Sequence, residues 1–197
     1  MNPRTVTRTF VFVALMLDLG VAGAYAQHRQ GHVEMTFSGT NVATTINLQA
    51  NTVTDETHLA GRGSLGRFTF RELHADGTAA QPPAGCVGPN FAVLAGAGVF
   101  RFQDGSLLVV TVMDGSACIN LAAGNAAITV NYQISGGTRR FTGASGNLKM
   151  TATLAVVLRN ASNAPALLTN TGKFEGLIFG ARVEEEGEDE DRQDERR

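Results

Sequence analysis

From residue 31 onward the chain alternates between apolar and polar positions with a period of two. Val33, Met35 and Phe37 are interleaved with His32, Glu34 and Thr36. Ile128, Val130, Tyr132 and Ile134 are interleaved with Thr129, Asn131 and Gln133. Leu148, Met150, Ala152, Leu154, Val156 and Leu158 repeat the pattern. Successive side chains on a strand point to opposite faces, so each run predicts a half-buried strand with its apolar face inward. Further strands are predicted over 42–48, 52–60, 67–74, 98–103, 106–113 and 173–179. Residues 107–110 are continuously apolar, which suits a strand covered on both sides. No run carries a helical period. Eight to ten short strands separated by turns suit an up-and-down barrel or a closely related sandwich, and full closure would hide the strand edges.

Turn chemistry sets the connections. Asp104-Gly105 predicts a tight hairpin, and Asp114-Gly115 a strand end. Residues 75–89 hold Asp76-Gly77, Pro82-Pro83 and Gly88-Pro89 and are expected to form the longest loop, with a second loop over 160–171. The spacing Gly61, Gly63, Gly66 matches a dinucleotide-binding fingerprint, but Phe68-Thr69-Phe70 follows as strand rather than helix, so a glycine-rich β-turn is expected. In residues 126–146 the alternating run meets Gly136-Gly137-Thr138. Phe141 follows as an apolar anchor, then Gly143, Ala144, Ser145 and Gly146 as a second small-residue turn.

The string YQISGGTRRFTGASGNL (132–148) resembles a segment of the allene oxide cyclase and dirigent barrels and of many secreted bacterial relatives of unassigned function. The likeness covers about twenty residues strongly and the preceding strands by pattern only. It implies an all-β, antiparallel eight-stranded barrel of the calycin kind. Arg139 stands where those families usually carry a third glycine. Gly136, Gly137, Thr138, Phe141, Gly143 and Gly146 define the fold, so the resemblance transfers architecture and no catalytic residue.

Composition narrows the picture. Of 197 residues, 43% are hydrophobic, enough for one core, and a net charge of −2 argues against nucleic acid, which would need a basic patch. The first 26 residues read as a signal peptide: Arg4 and Arg8, then FVFVALML, then Ala24-Tyr25-Ala26. Asp18 interrupts the apolar run, which falls short of the ~20 residues of a membrane anchor. The expected organisation is a signal peptide over 1–26, a barrel domain over 27–183 and a disordered acidic tail over 184–197, with secretion or periplasmic export. The tail lacks the spaced ligands of a calcium loop. Asn160-Ala161-Ser162 fits a glycosylation sequon, relevant only in a source that glycosylates exported proteins.

For an exported chain, two cysteines predict a disulfide, Cys86 to Cys118, worth roughly 3–4 kcal/mol by loop closure. Candidate chemistry is sparse. Of the four histidines, His28, His32, His58 and His74, the first two fall on one strand face, where a solvated pair is expected. Glu34, Glu72 and Glu175 lie within strands; an inward one would have its pKa raised, but the outer face is expected for each. No catalytic set, metal set or cofactor motif appears. Three functions stay open: a non-catalytic barrel that holds a small apolar ligand or serves as a structural module; a cyclase- or dirigent-like enzyme acting on a hydrophobic substrate; and an interaction protein using loops and tail. The first is favoured. The expected interior is apolar, from Val33, Phe37, Phe68, Phe70, Ile128, Val130, Leu148 and Leu154, with no charged clamp.

Overall fold

The computed structural model describes residues 30–78, 84–120 and 122–181. The expected signal peptide, His28 and the acidic tail lie outside the described residues. Eight strands run up and down: β1 (Gln30–Thr44), β2 (Val53–Gly63), β3 (Gly66–Thr78), β4 (Asn90–Phe102), β5 (Leu107–Asn120), β6 (Asn125–Gly137), β7 (Ser145–Arg159) and β8 (Pro165–Phe179). Each pairs antiparallel with its neighbour in sequence, and β8 pairs with β1, so the sheet is a closed eight-stranded antiparallel barrel. Among the described residues no helix is long and apolar enough to cross a membrane.

The period-two alternation does what it predicts. All eight residues expected in the lumen are buried. Phe70, Phe100 and Phe174 meet mid-barrel with ring centroids 4.4–5.2 Å apart, near the separations aromatic pairs prefer. Eight strands leave an interior that side chains can just fill.

The two ends differ. At one end, here the turn end, the connections are short: Ser64-Leu65, residues 103–106 and residues 138–144. Phe141, fully buried in a 3-10 turn, packs with its ring tilted against Phe102, centroids 4.9 Å apart. The Arg140 guanidinium lies over both rings, ion-pairs with Asp104 at 3.0 Å and donates to the Leu65 carbonyl at 2.7 Å, so one side chain ties three turns together. The opposite, loop end carries residues 45–52, 84–89, 122–124 and 160–164. The disulfide Cys86–Cys118 anchors one of these loops to β5.

Several expected boundaries move. The expected strand over 42–48 is divided: β1 continues unbroken to Thr44 and the rest is loop. Asp55 and Glu56 lie inside β2 and pair with His74 and Leu73. Asp76-Gly77 belongs to β3, and Asp114-Gly115 to β5 beside a register shift, rather than to turns. The last strand begins at Pro165, not 173. Leu107 and Val109 are half-buried while Leu108 and Val110 are buried, so this strand is covered on one side only. A register shift past Val156 turns Leu158 outward.

Candidate functional site

At the loop end the lumen opens into a cavity of about 240 Å³. Its walls are mostly apolar, from Ala43, Phe91, Ala117, Ile119, Ala126, Ile128, Leu154, Val156 and Leu168. Asn41, Asp55, His74 and Asp76 also line it. Strand geometry explains that polar group. Glu72, His74 and Asp76 are spaced by two along β3 on the face that Phe68 and Phe70 already turn inward. The β2–β3 register places Asp55 opposite His74 and Thr57 opposite Glu72.

Glu72 and His74 are about 1–2% exposed. The two imidazole nitrogens stand in ion-pair contact with the carboxylates on either side: Nδ1 is 3.5 Å from Glu72 Oε2 and Nε2 is 3.5 Å from Asp76 Oδ2. Both distances exceed those of a well-formed hydrogen bond. Below them Tyr132, from β6 on another side of the barrel, donates its hydroxyl to Glu72 Oε2 at 3.1 Å. Asn41 donates to the Thr57 hydroxyl at 3.0 Å.

The electrostatics follow from burial and close approach. Burial lifts the Asp55 pKa to about 6; Asp76 adds to the rise and His74 opposes it. For His74, burial disfavours the charged ring, but Asp76 and Glu72 overcome it and raise its pKa to about 10. Burial, then Glu72, pushes the Tyr132 hydroxyl well above its ordinary value. The floor therefore sets the His74 ring between Glu72 and Asp76, beside an Asp55 carboxyl able to hold a proton near neutral pH.

The expectation of an outer position holds for Glu34 and Glu175, which pair across β1 and β8; Lys173 donates to Glu175 at 2.6 Å. It fails for Glu72. That strand presents alternate residues inward from Phe68, and Glu72 keeps the frame. The expectation of no charged clamp falls with it. Motif spacing reveals no metal set, yet the fold brings donor atoms of Asp55, His74 and Asp76 within 4.8 Å of one another. His32 is exposed, and His58 bonds Glu56 on the outer surface. Asn160 is exposed in the β7–β8 loop, its side-chain oxygen accepting from the Ser162 and Ala164 amides.

Gly136, Gly137, Thr138, Phe141, Gly143 and Gly146 all lie at the turn end, away from the cavity. Cys118, by contrast, neighbours Ala117 and Ile119 in the cavity wall, so the disulfide braces the mouth.

No known protein family matches the chain. No curated protein matches it either. Among solved structures it is similar to a pterocarpan synthase dirigent protein, at 11% identity and a TM-score of 0.41, over 90% of this chain and 100% of that one.

Proposed function

We propose that this is an exported barrel that binds one small, largely apolar molecule through its loop end, with a single polar group of that molecule set on the acid–histidine floor. The observation that carries this reading is the cavity itself. Its volume, about 240 Å³, exceeds the ~150 Å³ of an engineered protein cavity that takes up benzene, and lies below the usual range for drug-sized ligands. A ligand of one or two rings fits. The apolar walls supply affinity by burial, and the floor supplies orientation. The likeness of residues 132–148 to the allene oxide cyclase and dirigent barrels is in keeping with a binding barrel. The disulfide is compatible with an extracellular or periplasmic protein.

A second reading, an acid–base enzyme of the cyclase or isomerase kind, is favoured by one specific observation. Asp55, with its pKa raised to about 6, borders the cavity and is positioned to exchange a proton with a bound molecule.

One titration addresses both. An environment-sensitive naphthylamine probe is expected to bind the purified protein saturably at one to one. Ala117→Phe and Ala126→Phe, which fill the cavity, are each expected to weaken it at least tenfold with the far-ultraviolet spectrum unchanged. Probe binding indifferent to both substitutions would overturn the ligand reading. Small aromatic epoxides that compete with the probe are then followed for turnover. Turnover that disappears in Asp55→Asn while probe binding persists would establish the second reading.

A further inference from the structure

The barrel floor has an unbalanced charge. Asp55, Glu72 and Asp76 face one imidazole, and the buried polar groups among the described residues include no lysine or arginine. Burying carboxylates without a compensating cation is costly. The floor also leaves polar atoms without hydrogen-bond partners: His74 Nδ1 and Nε2, Glu72 Oε1 and Asp76 Oδ1. A buried histidine with neither nitrogen in a hydrogen bond is uncommon, because buried polar groups are nearly always satisfied. His74 is 1% exposed, its Nε2 faces Asp76, and a donor atom of Asp55 completes the group within 4.8 Å.

We propose that Asp55, His74 and Asp76 bind a divalent first-row transition metal ion at the floor of the cavity, the ion displacing the His74 Nε2 proton to solvent and bonding to Nε2 and one oxygen of each carboxylate. The geometry needs little adjustment. Donor atoms bound at ~2.1 Å around a tetrahedral ion stand about 3.4 Å apart. Here Nε2 and the Asp76 oxygen are 3.5 Å apart, and all three donors lie within 4.8 Å of one another.

The surroundings match those of a metal-bound histidine. Such a histidine usually directs its second nitrogen at a carboxylate, which fixes the ring and raises its basicity. Glu72 occupies that place beside Nδ1, and the Tyr132 hydroxyl fixes Glu72 in turn. The sequence Tyr132, Glu72, His74, metal therefore runs from the packed middle of the barrel to the cavity. Three protein donors leave a coordination position open toward the cavity, as in sites that bind small molecules or water. One imidazole with two carboxylates suits zinc, manganese, cobalt or ferrous iron. Calcium prefers six to eight oxygens. The proposal does not depend on the ligand reading above, since the metal set is complete without an organic molecule.

The test titrates chelator-treated full-length protein with Co2+, followed by visible absorption, and with Zn2+, followed by calorimetry. One equivalent of each is expected to bind at the floor, with d–d bands of nitrogen–oxygen coordination for cobalt. His74→Gln, Asp55→Asn and Asp76→Asn are each expected to weaken that binding at least tenfold. Glu72→Gln is expected to weaken it ~10–100-fold while retaining the cobalt spectrum, as for an outer carboxylate. Binding of full strength in a folded Asp55→Asn/Asp76→Asn double variant would overturn the proposal and assign the metal to other groups, such as exposed His58 with Glu56. If the variants fail to fold, Mn2+ added to the wild-type protein decides. Paramagnetic broadening centred on the amide resonances of Asp55, His74 and Asp76 supports the site. Broadening elsewhere, or none, rules it out.

Discussion

Two adjacent glycines at the end of β6 do different jobs. Gly136 has a φ of 148° and open space where a side chain would go, so its constraint is conformational. Gly137 has an ordinary φ, but a Cβ there would stand 2.5 Å from the Leu107 carbonyl oxygen and 2.6 Å from Phe141 Cβ. Its constraint is the close approach of the Leu107 and Phe141 backbones and the Phe141 Cβ. Arg139 has a φ of 54°, in the left-handed region that favours glycine. Its guanidinium recovers part of that strain by donating to the Asp104 carbonyl. Gly137→Val is therefore expected to destabilise by roughly 1–3 kcal/mol or more, and Arg139→Gly by less than about 1 kcal/mol, because relief of strain offsets the lost hydrogen bond. Chemical denaturation of both variants checks the ranking; an equally stable Gly137→Val protein would contradict it. At this scale the glycine-rich turn and Phe141 were legible, since turn residues act locally. The inward side of Glu72 was also present in the pattern, two residues past Phe70. The general cost of burying a carboxylate argued against it, and that cost is offset only by His74 and Tyr132, which no local pattern reveals.

Strand interiors could be read from alternation, whereas strand ends could not. Asp76-Gly77 and Asp114-Gly115 look like turns by composition, yet both continue strands through register irregularities. A bulge absorbs turn-like residues into a ladder by adding one unpaired residue, which local composition does not distinguish from a turn. The meeting of Asp55 with His74 depends on such detail. The short turn at Ser64-Leu65 sets the β2–β3 register, and that register joins residues nineteen positions apart. The disulfide belongs to this scale as well. It ties the loop before β4 to the far end of β5, across a separation of 32 residues. Replacing Cys86 and Cys118 together by Ser is expected to remove roughly 3–4 kcal/mol and lower the thermal midpoint accordingly. Probe binding should weaken too, because Ala117 and Ile119 flank Cys118 in the cavity wall. An unchanged thermal midpoint would show that the loop is held without the bond.

The whole barrel divides its labour between its ends. Phe37, Phe68, Phe70, Phe100, Phe102, Phe141 and Phe174 pack the turn end and middle, where burial of apolar area holds the fold. The loop end gives up packing for a cavity and a charged floor. A floor kept for binding should contribute little to stability, or oppose it, because replacing buried charged groups by apolar ones of similar volume is often neutral or stabilising. The triple variant Glu72→Met, His74→Leu, Tyr132→Phe removes the imidazole, its orienting carboxylate and the hydroxyl donor together, so no buried donor is left facing a missing acceptor. Asp55, whose pKa burial raises to about 6, can then hold a proton. This variant is expected to unfold at a temperature no lower than wild type while losing metal binding. Removing His74 alone should be worse than removing all three, since Glu72 would stay buried and charged with no cation beside it. Thermal scans of the single and triple variants at the same pH separate the possibilities. A triple variant several kcal/mol less stable than wild type would make the cluster part of what holds the barrel together. A triple variant of undiminished stability leaves the cluster with binding as its reason to be buried.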